Sequence, residues 1–343
     1  MPKDNENVLL SFVGPVAPSE PQGFAAEAMI RCEECLRANP PTRVSCLYCA
    51  AALPLTEVSQ RLRKPTLRQP EKHQRGYNNI ILPQEQKLSS EALAETADLL
   101  QLDPVCLDRI ITGNRPLPVA RTGSSEEAQL VQERLLGLGL RALTLNDDDL
   151  GLSETCISRI RLMRFDEAGL TMQHSNNAEP VVVDWSKVLL VVSGRIFVKR
   201  VELDERKSRR AEKEIVRSTQ YFTDEAVADI YAATTTQTWR VAANSFDFSC
   251  LGEEKTLLVN ENFTRLIKLI CAGASNARLD DSYGASRQSL DPIWRSEQET
   301  ESKGWRREGT GKYSLGAATT NSNETQFTRY SRLSYYFARQ AAV

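Results

Sequence analysis

Two closely spaced pairs of cysteines constrain this chain more than any other feature of its sequence. The segment CEECLRANPPTRVSCLYC holds four of the eight cysteines, as two CxxC pairs separated by ten residues. A CxxC turn directs two thiolates toward one metal ion, and two such turns supply the closed tetrahedral shell of a structural zinc site. The spacing therefore predicts a zinc ribbon over residues 29–54 with structural Zn²⁺ as cofactor. The predicted ligands are Cys32, Cys35, Cys46 and Cys49.

Three other uses of paired cysteines stay open. An iron–sulfur cluster also takes four thiolates, although its usual spacings differ. A redox-active CxxC needs a βαβ context, which is absent around this segment. Two disulfides would be unstable in a reducing compartment. The other cysteines are scattered in apolar contexts without an export signal, so we expect buried free thiols and a cytoplasmic location. These are Cys106, Cys156, Cys250 and Cys271.

The overall charge gives no reason to expect a polyanion-binding protein. The formal net charge is −2 and the pI is near 6.0, so a basic binding patch would have to be local. The first residues contain no apolar run long enough for a signal peptide, and no run of about 18 apolar residues predicts a membrane span. Of the two histidines, His73 has no ligand-spaced neighbours, and His174 has no neighbouring Cys, Asp or second His. The residues that histidine-based catalysis needs are therefore missing, and we predict no enzyme and no catalytic residues. The acidic pair Asp280-Asp281 has no visible partner in the sequence, so we expect it at the surface.

The cysteine segment resembles two known families. MIRCEECLRANPPTRVSCLYCAAALP resembles the short zinc ribbons of many multidomain bacterial proteins, which follow CxxCGxxNPxxxxxCxxCGxxL. Asn39, Pro40 and Leu53 match that pattern, whereas Leu36 and Ala50 replace the common glycines. The spacing is also similar to the Ran-binding-protein type of zinc finger, whose members bind single-stranded RNA or ubiquitin. That family has a tryptophan where this chain has isoleucine, two residues before the first cysteine.

Basic and aromatic residues surround the predicted ribbon. Residues 55–87 carry Pro and Gly breaks and an excess of Lys and Arg, which predicts a basic linker. Arginine beside an exposed aromatic is the chemistry of single-stranded nucleic-acid contact, while a solvated surface is the simpler interpretation. The candidate contact residues are Arg31, Arg37, Arg43, Tyr48, Arg61, Arg63 and Lys64.

Residues 88–150 predict a pair of short helices followed by a small βαβ module. Ser89 or Ser90 caps the first helix, and Asp103-Pro104 starts the second. The segment then gives a strand in LPVAR, a helix after Ser124 or Ser125, and a strand in RALTL. This order is similar to half of a ferredoxin-like module. Asp147–Asp149 lack the Gly and Glu of a calcium loop, so we expect a solvated cap.

From residue 154 to 275 the hydrophobic period changes to two, which predicts a β-rich domain. VVVDWSKV, WRVAANSFDFSCLG and the amphipathic NFTRLIKLI give strands followed by one helix. Residues 157–273 therefore resemble a pleckstrin-homology-like (PH-like) domain, in which a terminal helix closes one end of a barrel. The resemblance implies a binding module without catalytic residues.

A charged interval interrupts the predicted strands of this domain. GRIFVKRVELDERKSRRAEKEIVRS has more basic than acidic residues. The interval predicts either a solvated helix or a contact with an anionic ligand such as a lipid head group or RNA. The candidate contact residues are Lys207, Arg209, Arg210 and Lys213.

The two ends of the chain are expected to be less ordered. Residues 1–28 predict a flexible N-terminus, and residues 276–326 are polar and too poor in apolar residues to offset the entropy of ordering. The last part, 327–340, has aromatic residues on one helical face. It therefore predicts an amphipathic segment that docks on a partner or on its own core.

Taken together, the sequence predicts a multidomain α+β protein that acts as a non-catalytic cytosolic scaffold or adaptor. Its ribbon and PH-like modules would bind a protein partner. The first alternative is a single-stranded nucleic-acid-binding protein that uses the ribbon and the basic linker. The second alternative is a peripheral binder of anionic membranes.

Overall fold

The computed structural model describes residues 23–54, 56, 65–70, 74–85, 88–152, 157–174, 179–207, 213–233, 235, 237–309 and 312–342. Its chain divides into two compact units, residues 1–64 and residues 65–343. The division falls within the segment 55–87 that was predicted as a linker. Residues 1–22, most of the predicted flexible N-terminus, lie outside the described part.

The first unit is a small ribbon. Strands β1 (Ile30–Arg31) and β2 (Ala38–Asn39) pair antiparallel, and Ser45 and Ala52 form a further antiparallel bridge. One turn of 3₁₀ helix, Ala26–Ala28, precedes them. Among its described residues, the hydrophobic core cluster contains Ile30, Cys32, Cys46 and Leu53. Two of the predicted metal ligands are therefore also the centre of the ribbon's core.

The second unit begins with a three-stranded sheet and three helices. The strands are β3 (Tyr77–Ile81), β4 (Leu117–Thr122) and β5 (Ala142–Asn146). The helices are α1 (Ser90–Leu100), α2 (Pro104–Thr112) and α3 (Ser125–Gly137), and side chains of Ser89, Asp103 and Ser124 cap their first turns. Strand β3 lies between the other two and pairs antiparallel with both.

This sheet corrects part of the predicted linker. Strand β3 lies inside residues 55–87 and contributes Ile80 and Ile81 to the main core. The predicted strand–helix–strand segment is present as β4, α3 and β5, but its two strands do not pair with each other. The linker prediction missed β3 because basic and proline-rich neighbours dominated the composition of that stretch.

A seven-stranded mixed sheet forms the largest part of the second unit. Its path is β14-β15-β10-β11-β12-β6, with β13 also paired to β10, and it curls into a half-barrel. The strands are β6 (Ile157–Ile160), β10 (Val188–Lys207), β11 (Lys213–Ala232), β12 (Thr238–Ala242), β13 (Arg278–Asp280), β14 (Glu297–Gly309) and β15 (Lys312–Ser322). Strands β6 and β12 pair parallel, as do β10 and β13.

A smaller sheet and one helix cover this half-barrel. Strands β7 (Leu162–Phe165), β8 (Gly169–Gln173) and β9 (Val181–Asp184) form an antiparallel meander. Helix α4 (Val259–Gly273) buries Phe263, Leu266 and Ile270 in the core that the two sheets share. The order of strands followed by a helix thus agrees with the sequence, within a mixed α/β fold.

The prediction that residues 276–326 are disordered is wrong. They contain β13, helix α5 (Tyr283–Leu290), β14 and β15. The polar strands β14 and β15 are held by main-chain pairing with each other and with β10, so they need little apolar side-chain area. Trp294, between α5 and β14, is fully buried. The amino-acid composition of a segment does not predict such strand pairing.

The predicted amphipathic segment 327–340 lies within helix α6 (Glu324–Ala341) and packs on its own unit. Phe327, Tyr330 and Leu333 are buried in a core that also includes residues from β3, β4, α2 and β10. Tyr335 stacks on Tyr231 of β11 with ring centroids 4.4 Å apart. The segments predicted as separate modules, 88–150 and 154–275, therefore share one core that α6 completes.

Candidate metal centre

The four predicted ligands meet at one point of the ribbon. Their sulfur atoms all lie within 4.8 Å of one another. Two of these separations join the CxxC pairs crosswise: Cys32 Sγ is 3.6 Å from Cys49 Sγ, and Cys35 Sγ is 3.5 Å from Cys46 Sγ. Every cysteine in the described part of the chain has a free thiol. The CxxC spacing thus identified a real cluster of sulfur atoms.

The dimensions of this cluster suit one tetrahedral ion. A zinc–sulfur bond of about 2.3 Å places the four sulfurs of a tetrahedron about 3.8 Å apart. The observed separations are close to that value. Four thiolates would complete the coordination shell and leave no open position for a substrate. The donor set therefore fits a closed, structural metal ion.

The two CxxC turns share one backbone arrangement. Leu36 N–H donates to the Cys32 carbonyl at 2.9 Å, and Ala50 N–H donates to the Cys46 carbonyl at 3.1 Å. Leu36 and Ala50 have positive φ angles of 57° and 59°. Each costs about 1–2 kcal/mol relative to a right-handed conformation, a cost that glycine avoids. The strained positions are therefore those at which the zinc ribbons that this segment resembles commonly have glycine.

Asn39 connects the first turn to the second. Its side chain is fully buried, and its amide nitrogen donates to the Arg37 carbonyl at 2.9 Å and contacts Cys46 Sγ at 3.4 Å. Its amide oxygen accepts from Leu47 N–H at 2.8 Å. Asn39 was noticed in the sequence as a match to the ribbon pattern. The structure explains why asparagine occurs at this position, because its one side-chain amide forms hydrogen bonds with both turns.

Hydrogen bonds lower the pKa of one of the four cysteines, Cys46. Burial raises the pKa of Cys46, but N–H groups of Tyr48 and Cys49, the Cys35 thiol and the Asn39 amide lower it further, to about 6. For Cys49, the Ala51 N–H lowers the pKa, whereas burial and the other three thiols raise it to about 12. Because metal ions bind thiolates, binding of an ion to the four cysteines displaces their protons.

The outer surface of the turns is apolar and aromatic. Leu36, Leu47 and Tyr48 are all more than half exposed, with Leu36 at 66%. The Arg37 guanidinium carbon lies 4.7 Å from the centre of the Tyr48 ring. We call these four residues the knuckle surface: Leu36, Arg37, Leu47 and Tyr48. Arg37 and Tyr48 were predicted as contact residues from the sequence, but the two leucines were not. Their positions, directly after a ligand for Leu36 and between two ligands for Leu47, could have indicated them.

The other predicted contact residues do not join a single site. Arg31 is exposed on β1, and Arg43 donates to the Ser45 carbonyl at 3.2 Å. Arg61, Arg63 and Lys64 lie outside the described residues, as do Arg209 and Arg210. Lys207 and Lys213 face each other at the end of the β10–β11 hairpin, but only their backbones are described. These candidates stay predictions.

Charged residues buried in the second unit serve the fold. Arg240 donates from Nε and Nη2 to the two carboxylate oxygens of Asp229 at 2.7 and 2.8 Å, and both residues are buried. Asp280, which we expected at the surface, is buried and accepts hydrogen bonds from Tyr330, Ser334 and Arg115. Each of these charged groups therefore has protein partners within the fold.

Comparison with known proteins gives no relative from which a role can be transferred. No protein-family model matches the chain, and neither does any curated protein or solved structure. In the part of the chain that the structure describes, no helix combines the length and apolar character needed to cross a membrane. The function must therefore be argued from the site itself.

Proposed function

We propose that this protein is a non-catalytic adaptor whose N-terminal ribbon is stabilised by a structural Zn²⁺ and binds a protein partner through the knuckle surface. The observation that carries this proposal is the closed cluster of four sulfur atoms, with exposed apolar side chains on its outside. A metal held in this way organises a surface and does not act on a substrate.

Zinc is the ion that the donor set favours. Four thiolates in a tetrahedral arrangement are typical of structural zinc sites, whereas iron–sulfur clusters add sulfides and use other cysteine spacings. The free thiols of the described cysteines support a reducing compartment such as the cytoplasm. Iron is the alternative ion, and elemental analysis distinguishes the two.

The charge of the ribbon favours a protein partner over a nucleic acid. Residues 23–54 contain three arginines, and three glutamates balance them. A zinc ion with four thiolates adds a further charge of about −2. Glu33 and Glu34 are exposed between the first two ligands. A phosphate backbone would therefore meet a ribbon with no net positive charge, whereas an apolar patch on a partner would meet Leu36 and Leu47.

Binding of single-stranded nucleic acid is the second candidate. The stacked pair of Arg37 and Tyr48 supports it, because arginine and aromatic planes are the usual platforms for bases. However, Arg37 already covers one face of the Tyr48 ring. The ring therefore offers one face at most, which weakens this candidate relative to a protein partner.

The second unit is part of the same proposal. Its curled half-barrel sheet with helix α4 packed against one side supports a PH-like binding module, as the sequence suggested. Such modules bring ligands or partners together without chemistry. The adaptor would thus carry a metal-stabilised ribbon and a second binding module in one chain.

Site-specific cross-linking in cell lysate tests the partner class. A photoreactive amino acid replaces Leu47 on the knuckle surface, and in a control protein it replaces Thr42, which is exposed in the turn between the CxxC pairs. We expect discrete protein adducts from position 47 that resist nuclease. These adducts should disappear in a chain that also carries Leu36→Ser and after removal of the metal.

Two results would contradict the proposal. Adducts that nuclease destroys would favour nucleic-acid binding. The same adducts from positions 42 and 47, unchanged by Leu36→Ser, would show that the knuckle surface is not the binding surface.

A further inference from the structure

The second unit contains a cavity of about 290 Å³ that is separate from the metal cluster. Its walls come from the segment 69–70, strand β4, the region around the start of β14, and helix α6. Three arginines line it: Arg121, Arg295 and Arg329. A cavity lined by three guanidinium groups suggests a site for an anion. The hydrogen-bond and ion-pair partners of each arginine show whether its charge is already balanced by the protein.

Arg121 has only part of its hydrogen-bonding capacity satisfied. It is 8% exposed, and its Nη2 donates to Asp147 Oδ2 at 2.6 Å. The same carboxylate also accepts from Gly76 N–H and from the Asn78 amide. Arg121 Nε is buried and has no hydrogen-bond partner in the described structure. A side chain at Gly76 would collide with this guanidinium, so Arg121 is fixed in place.

Arg329 has still fewer partners. Its Nε is buried without a hydrogen-bond partner, and no ion pair of Arg329 occurs among the described residues. Burial and the positive charge of Arg121 lower the pKa of Arg329 to about 10. Asp147 and Glu297 are the carboxylates near Arg329, and Asp147 already accepts a hydrogen bond from Arg121. Arg329 is half-buried and has no direct ion-pair partner among the described residues, and an anion in the cavity would supply one.

We propose that this cavity binds a small molecule through a carboxylate group that contacts Arg121 and Arg329. Guanidinium groups and carboxylates form short, charge-assisted hydrogen bonds, often two at a time. The terminal guanidinium nitrogens of the arginines that line the cavity are donors for such bonds. The carboxylate would supply hydrogen-bond acceptors that the protein itself does not provide.

The opening of the cavity restricts the ligand to a single negative charge. Glu297 and Glu299 line it together with Arg295, and Glu299 and Arg295 are exposed. These carboxylates would repel a phosphate dianion more strongly than a carboxylate monoanion. The volume is at the lower limit of ligand pockets, which begin at about 300 Å³. The expected ligand is therefore a small monocarboxylate rather than a nucleotide.

The test measures binding to the full chain with named anions. Sodium acetate, sodium benzoate, sodium glutamate and inorganic phosphate are titrated at constant ionic strength against chloride, with thermal shift and calorimetry as readouts. We expect saturable stabilisation by at least one carboxylate. Substitution Arg329→Met should weaken that binding by about tenfold or more, while the protein without ligand stays folded.

Two further variants separate a binding site from a structural role. Arg339→Met removes an exposed arginine from the same helix, outside the cavity, and should leave anion binding unchanged. Glu297→Gln removes a negative charge near Arg329 and should strengthen carboxylate binding. A structural role alone would predict no effect of Glu297→Gln on affinity.

Three outcomes would overturn the proposal. The first is that none of the carboxylates stabilises the wild-type protein. The second is that carboxylates bind the Arg329→Met variant and the wild type equally. The third is stronger stabilisation by phosphate than by any carboxylate, which would contradict the ligand class.

Discussion

Two of the four buried core residues in the ribbon are cysteines, whereas the second unit buries large apolar side chains in two clusters. The largest of these include Trp239, Trp294 and Phe327. Units below about 40 residues usually need a metal, a disulfide or a partner because their surface is large relative to their core. We infer that the ribbon depends on coordination for its fold and that the second unit depends on packing.

Loss of the metal should have the largest effect. Cys46→Ser, or treatment with a strong chelator, removes a structural ion whose binding contributes about 10–16 kcal/mol in small zinc domains. We expect rapid proteolysis within residues 29–54, while the thermal unfolding of the second unit keeps its midpoint. Limited proteolysis with mass spectrometry and calorimetry of the full chain provide the measurements.

A matched control is Cys271→Ser, which changes a thiol of helix α4 outside the metal cluster. It should leave the metal content and the proteolysis of the ribbon unchanged. If Cys46→Ser and Cys271→Ser behaved alike, the ribbon would not depend on coordination.

Removal of a core aromatic should have the next largest effect and should leave the ribbon intact. Phe327 is fully buried on α6 and packs edge-to-face on Tyr283 with centroids 5.0 Å apart. Phe327→Ala should lower the free energy of unfolding of the second unit by about 3–5 kcal/mol. Chemical denaturation measures this loss. An unchanged stability would show that α6 does not complete the core in solution.

Acid should weaken the second unit through Asp280. Burial raises the pKa of this carboxyl, but hydrogen bonds from Ser334, Ser282 and Tyr330 outweigh it and lower the pKa. A lowered folded pKa gives stability that is present above the ordinary aspartate pKa of about 3.9 and is lost as the pH falls through the folded value. Asp280→Asn should cost about 1–3 kcal/mol at neutral pH, and the difference should shrink in acid.

Urea denaturation at several pH values measures this difference. The exposed neighbour Asp281 is the control, and Asp281→Asn should leave the pH dependence unchanged. A stability gap between wild type and Asp280→Asn that stays constant down to strongly acidic pH would contradict the assignment.

The smallest expected effect is a gain of stability in the ribbon. Leu36 has a positive φ, and glycine adopts that conformation without steric cost. Leu36→Gly should therefore stabilise the metal-bound ribbon by about 1 kcal/mol, measured by competition with a zinc chelator. Weaker zinc binding by this variant would show that the Leu36 side chain contributes more through its contacts than it costs in strain.

The sequence predicted the metal cluster well because coordination depends on local spacing. The four ligands lie within eighteen residues, so their convergence depends mainly on local spacing, and Asn39 lies between the two CxxC pairs. The second unit was harder because its polar residues are satisfied over long distances. Asn78 in β3 accepts from Trp294 Nε1 at 2.8 Å, across more than two hundred residues of sequence.

The same reason explains the errors at the C-terminal side. Strands β14 and β15 have polar sequences. They are ordered because β14 pairs with β15 and β15 pairs with β10, and no local sequence pattern predicts this pairing. Asp280 looked like a surface acid because its partners Tyr330 and Ser334 are on α6, far along the chain. The grouping of Arg121 and Arg329 at one cavity, each with a buried Nε that lacks a hydrogen-bond partner, was also not predictable, since only the fold brings these residues together.

The central claim is that four cysteine sulfurs enclose one zinc ion. Elemental analysis of the full chain, purified under reductant and without chelator, tests it most directly. We expect about one equivalent of zinc per chain and its loss in Cys46→Ser. Less than about half an equivalent of zinc in the wild-type protein, or the same zinc content in the variant, would contradict the claim.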